Sequence, residues 1–250
     1  MKIAVVVGGW HWPHHFFSEM ARQGRADLFV VAHRHPELDV VRDEKLEILA
    51  KAEGPLGAID RRLYSLYASE HSLADLGWYF LEAPNVCGDW CFLNQWLEKF
   101  DYRPYDVILS CHDDTYIRRR DLFEQLAGDW LILSNCGQPS ESPGYLRGSF
   151  EFFKREMLDM LGGKIDIGAP TLTREGAVDS PKSRDTLAPW NETGHPLRRF
   201  LVENSLAGRI SRLSPHYRVS PWALEGERGY MHSQAEAPWT MAAGLEAYPL

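Results

Sequence analysis

Asp106-Val107-Ile108-Leu109-Ser110-Cys111-His112-Asp113-Asp114 is the stretch that decides the fold. Val107, Ile108 and Leu109 follow one another without polar alternation. A strand of that kind is buried on both faces, as in a parallel sheet packed between helices. The run then stops at two carboxylates. Parallel α/β sheets bind ligands at the carboxyl ends of their strands, so Asp113 and Asp114 stand where chemistry is expected. Two adjacent carboxylates there are costly unless something positive lies beside them. A divalent cation, Mg²⁺ or Mn²⁺, is the usual solution, and such ions bridge to phosphate oxygens. The alternative is a solvated Asp-Asp turn that caps the next helix.

Reading outward, residues 3–7 form a first buried strand that closes in Gly8-Gly9. Residues 28–32, 78–81 and 130–133 are further strands. Helical spacing occurs at 14–23, ended by Gly24, and at 44–51, 59–70 and 121–126. Asp89 can cap a helix over 90–100, with Trp90, Leu93, Leu97 and Phe100 on the face that meets the sheet. Strands alternating with helices predict an α/β fold with a mostly parallel sheet covered by helices on both faces, Rossmann-like in layout. The loops at 8–10, 33–35, 85–88 and 112–115 then share one rim.

The second half is more loop-rich. Residues 144–150 lead into a helix over 152–161 that Gly162-Gly163 closes. Residues 169–189 read as a long polar loop, 196–207 as a helix, and 217–222 as a short strand before a loop-like tail.

Composition narrows the class. With 44% hydrophobic residues the chain of 250 can build a substantial core. A net charge of -8 excludes the diffuse basic face of a general nucleic-acid binder. Cys87, Cys91, Cys111 and Cys136 form no Cys-x-x-Cys pair, which predicts four reduced thiols in a cytoplasmic protein. A zinc site using Cys87 and Cys91 is the sharper alternative. The first apolar run is too short for a signal peptide, and no stretch approaches the ~20 apolar residues of a membrane span.

Several groups on the predicted rim suit a nucleotide. Trp10 can stack on a base, and His33, Arg34 and His35 end the second strand nearby. The cluster His11, Trp12, Pro13, His14 and His15 suits zinc, a nucleotide pocket or a polar helix start. Arg118-Arg119-Arg120 suits a diphosphate, an anionic acceptor or a solvated helix start. Gly8-Gly9 matches neither the dinucleotide fingerprint nor the P-loop, which argues against an oxidoreductase or a P-loop kinase.

Residues 85–94, Asn85-Val86-Cys87-Gly88-Asp89-Trp90-Cys91-Phe92-Leu93-Asn94, taken with 106–114, resemble the GT-A glycosyltransferases. Those enzymes place a helix, a buried strand and then a DxD-like motif that holds a divalent metal on a nucleotide-sugar diphosphate. Here the motif reads His112-Asp113-Asp114. By layout the resemblance covers about the first 165 residues, including Gly144-Tyr145-Leu146-Arg147-Gly148, whose counterpart carries acceptor-side contacts.

The resemblance implies one catalytic domain over 1–250, with a nucleotide-sugar half at 1–135 and an acceptor half at 136–250. It implies a metal-dependent hexosyl- or pentosyltransferase using Mn²⁺ or Mg²⁺. Asp114 would hold the metal, with His232 or His216 as a late ligand. Asp113 would bind ribose or a metal-bound water at the catalytic centre. Gly8, Gly9, Trp10, His33, Arg34 and Arg118 would line the donor. Glu192 would be the base that takes the acceptor proton, with Asp185 and Glu151 as weaker candidates. The acceptor would be a saccharide, a glycolipid or another hydroxyl compound, and a nucleic-acid acceptor stays open. The competing readings are a nucleotidyltransferase acting on sugar phosphates and a non-catalytic nucleotide- or sugar-binding module. The first would carry a Gly- and Lys/Arg-rich signature near the first strand, which is absent.

Overall fold

A computed structural model describes residues 1–9, 12–33, 62–84, 90–113, 115–117, 120–134, 150–166, 195–212 and 218–219. Strands β1 (Ile3–Gly9), β2 (Ala26–His33), β3 (Trp78–Ala83) and β4 (Val107–His112) run parallel. After β5 (Tyr116–Ile117) come β6 (Ile132–Ser134), β7 (Phe150–Lys154), β8 (Ile210–Arg212) and β9 (Arg218–Val219). The main sheet has the order β3-β2-β1-β4-β7-β6-β8. β7 is antiparallel to both β4 and β6, while β8 is parallel to β6, so β7 alone opposes the others in this sheet. β5 and β9 form a separate antiparallel pair.

Alternate residues of each strand feed two cores. One face gathers Ile3, Val5, Val7, Val30, Leu109 and Phe152 beneath Phe16, Phe17 and Met20 of α1 (His14–Gln23). The other gathers Ala4, Val6, Phe29, Ile108 and Phe153. It is covered by α3 (Cys91–Lys99), α4 (Arg155–Met160) and α5 (His195–Glu203). The short α2 (Glu70–Asp75) leads into β3. The expected mostly parallel sheet with helices on both faces is therefore the observed fold. Each buried aromatic contributes about 1.5–3 kcal/mol, and the unbroken apolar runs of β1 and β4 exist because both of their faces are covered.

Several local expectations are corrected. Residues 152–154 are strand rather than helix, and the helix starts at Arg155. The reason is tertiary: Phe152 and Phe153 point to opposite cores from a strand inserted between β4 and β6. The helix expected over 59–70 does not run through: 64–66 turn, and α2 begins only at Glu70. Ser69 and Ser72 form a reciprocal capping box there. β8 adds a parallel edge strand at residues for which the sequence suggests no element. The helix expected over 121–126 is a 3-10 turn, Leu122–Leu126.

The cysteine reading is also corrected. Cys91 is disulfide-bonded, with its partner outside the described residues, and Cys111 is free and buried. A disulfide sulfur is not a zinc thiolate. Among the described residues no helix is long and apolar enough to cross a membrane.

Candidate functional site

The carboxyl ends of β1, β2 and β4 lie side by side, with Gly8 in register with Val31 and His112. Both β1 glycines are there because of what lies against them. A Cβ on Gly8 would overlap the ring of Phe92, and one on Gly9 would overlap the Asp113 carboxyl group. Gly8 thus lets α3 approach the strand, and Gly9 leaves room for the first acid of the turn after β4.

Asp113 is buried, and its Oδ2 accepts the Trp12 backbone N–H at 2.8 Å. The Trp12 indole N–H donates to the Gly9 carbonyl at 3.2 Å. Trp12 adopts a left-handed conformation, φ 52°, which costs a non-glycine residue about 1 kcal/mol or more. Its carbonyl accepts from the Ala68 N–H at 2.7 Å, and its ring meets Phe80 edge-on at 5.5 Å. These contacts make the first loop and the acidic turn one unit.

On the opposite face α3 organises the rim. Trp90 precedes it in a left-handed conformation without a side-chain cap. Phe92 fills the space over Gly8 and meets the His112 ring edge-on at 5.3 Å. Gln95 spans two strand ends: its Nε2 donates to the Pro84 carbonyl at 2.8 Å, and its Oε1 lies 3.0 Å from His33 Nε2. The Pro84 carbonyl can only accept, which fixes the amide orientation, so His33 Nε2 must carry the proton. Burial also pulls the His33 pKa below the ordinary value, and nearby His112 pushes the same way, against the Gln95 hydrogen bond. His33 is therefore a neutral imidazole of defined tautomer. Asn94 clamps Ile165 from both sides, accepting its N–H at 2.9 Å and donating to its carbonyl at 2.8 Å.

Of the residues expected to act, the structure brings together Gly8, Gly9, His33 and Asp113. Trp10, Arg34, Asp114, Arg118, Asp185, Glu192, His216 and His232 lie outside the described residues. Arg120 is exposed and its Nε reaches Glu19 Oε2 at 3.4 Å. Trp12 is a core residue and Pro13 precedes the first turn of α1. Glu151 is fully buried in β7, accepting from Ser134 Oγ at 3.2 Å and from the Phe150 N–H at 3.0 Å. Among the described residues no group of three or more His, Cys, Asp or Glu side chains is placed to hold a metal ion.

Sequence reading missed Phe92, Asn94 and Gln95 as organisers of the rim. Gly8-Gly9 was read as a strand end lining the donor; that Phe92 and Asp113 lie against these glycines had no local signal.

No family model matches the chain, and no curated protein sequence does either. Solved structures do. A Drosophila β1,4-galactosyltransferase 7 variant, crystallised with manganese, UDP-Gal and xylobiose, is 14% identical over 84% of this chain and 64% of that one, with a TM-score of 0.39. The glycosyltransferase GlyE of Streptococcus pneumoniae is 11% identical over 99% of this chain and 53% of that one, with a TM-score of 0.46. A glycosyltransferase involved in glycosylation of the PBCV-1 major capsid is 12% identical over 86% and 82%, with a TM-score of 0.35. The chain thus spans 64% and 53% of the first two. These three solved structures are glycosyltransferases.

Proposed function

We propose that the protein is a metal-dependent glycosyltransferase that moves a hexosyl or pentosyl group from a nucleotide-diphosphate sugar to a hydroxyl acceptor. One observation carries the reading. Asp113, at the end of β4, is bonded to Trp12 and lies on Gly9, so the acidic turn and the first loop are fixed together on the ligand-binding rim of a parallel sheet.

In this reading Asp113 first positions the turn, and Asp114 takes the metal with His232 as a late ligand. A carboxylate is an oxygen donor of the kind Mn²⁺ and Mg²⁺ prefer. A Mn²⁺ or Mg²⁺ ion held there would supply Lewis-acid stabilisation of the charge on the diphosphate leaving group. Trp10, His33 and Arg34 receive the nucleoside and Arg118 meets the diphosphate, while Gly8 and Gly9, covered by Phe92 and Asp113, shape the rim instead of contacting the donor as expected. The bond between the anomeric carbon and the diphosphate oxygen breaks, the acceptor hydroxyl oxygen bonds that carbon, and its proton passes to Glu192. Residues 1–135 serve the donor and 136–250 the acceptor. Acceptors of the saccharide or glycolipid class suit the reaction. The Cys91 disulfide favours an oxidising compartment for it.

The test is a thermal-shift screen of nucleoside diphosphates and their sugars with and without Mn²⁺, followed by a donor-hydrolysis assay. Metal-dependent stabilisation that is lost in Asp114→Ala supports the proposal. No stabilisation by any nucleoside diphosphate in the presence of metal sinks it.

A further inference from the structure

The two stretches tied at Asp113 and Trp12 stay in contact beyond that bond. His15, Glu19 and Gln23 are spaced by four residues, which puts them on one face of α1. Phe16, Phe17 and Met20 of the same helix enter the core. The polar face runs along the chain that follows β4. The Ile117 backbone lies beside the His15 ring and favours its charged form. Glu19, itself buried, meets Arg120 at 3.4 Å and also pairs with Arg22. Gln23 Oε1 accepts the Leu122 N–H at 3.1 Å. Residues 12, 15, 19 and 23 thus meet 113, 117, 120 and 122 in matching order.

We infer that this polar stripe of α1 positions the acidic turn: His15, Glu19 and Gln23, with the Trp12 N–H ahead of the helix, hold the chain on both sides of Asp114 against α1. As a role in the reaction, this rests on the reading of that turn as the metal–diphosphate clamp. The segment so held includes β5, whose other edge pairs with β9, Tyr116 with Val219 and Ile117 with Arg218. The stripe therefore also sets where the later chain joins the turn. A turn held from one side only would move with each excursion of its downstream arm, and preorganised ligands are what a metal–diphosphate clamp requires. Glu19, Gln23 and His15 are positioning residues in this account and touch no reacting atom.

Gln23→Met keeps the side-chain volume and removes the acceptor, Glu19→Gln removes the charge, and Arg120→Gln changes an exposed side chain so that one variant folds in any case. Hydrogen exchange on the full chain is the first readout. The expected result is exchange at least about fivefold faster in 115–117, 120–122 and 218–219, with β1 and β4 unchanged. Faster exchange confined to the substituted contact overturns the inference. The second readout is the apparent affinity for UDP with Mn²⁺, expected to fall about tenfold while the unliganded Tm stays within a few degrees. Unchanged affinity in variants whose segment has loosened also overturns it. A wild-type chain that binds no nucleoside diphosphate fails the glycosyltransferase reading instead, and the exchange readout then still decides the ladder.

Discussion

The Asp113 carboxylate and the Trp12 N–H are 101 residues apart in sequence and 2.8 Å apart in space. That bond joins the end of β4 to the loop after β1. Both groups are buried, so neither has water as a substitute partner. Asp113→Ala leaves a buried donor unpaired and is expected to destabilise the protein by about 1–3 kcal/mol. Asp113→Asn, which keeps an acceptor oxygen, is expected to lose less. Urea denaturation of the three proteins checks the order, and equal stability for all three would remove Asp113 as an anchor.

Gly8 and Phe92 form a size-matched pair. Gly8→Ala forces a methyl into the Phe92 ring and is expected to cost about 1–3 kcal/mol, with Gly9→Ala similar against Asp113. Shrinking the ring in Gly8→Ala/Phe92→Leu should recover part of the loss. A double-mutant cycle measures the coupling, and strict additivity would show that the two positions do not meet.

His33 is expected to be the Nε2–H tautomer, because Gln95 and Pro84 fix that proton, and burial favours the neutral ring. Nitrogen-15 NMR of the histidine side chains distinguishes the tautomers. Gln95→Leu should release that preference. A His33 signal of the Nδ1–H form in the wild type would contradict the orientation argument.

Burial pulls the His15 pKa from 6.5 to about 4, partly opposed by Glu19. The unfolded chain therefore binds more protons between these values, and stability is complete above pH 6.5 and is lost as pH falls toward 4. Solvent access and the neighbouring charges limit the amplitude to at most about 3 kcal/mol. His15→Gln should flatten this part of the stability–pH curve, as followed by denaturant titration across that range. An unchanged slope would assign the dependence to another group.

Cys91 and Cys111 differ in state. Alkylation of the denatured, unreduced protein should label Cys111 and spare Cys91, and prior reduction should open Cys91 to label. Peptide mass spectrometry reads both. Label on Cys91 without reductant would restore the free-thiol reading.

The sequence by itself determined the layered α/β class. Runs such as Val5-Val6-Val7 and Val107-Ile108-Leu109 lack alternation, and only a strand covered on both sides tolerates that. It also marked Asp113 and Gly8-Gly9 as strand-end features, because their kinds are unusual after apolar runs. Only the tertiary structure decided which way β7 runs. Phe150-Glu151-Phe152-Phe153 satisfies helix and strand equally until β4 and β6 offer their edges on either side. It also decided what each strand-end feature does. Gly8 meets Phe92, Gly9 meets Asp113, and His33 is set by Gln95. Those partners lie 62 to more than 100 residues away, beyond the reach of any local periodicity. Local pattern reports which residues must be buried, while the packing of distant segments selects the groups they are buried against.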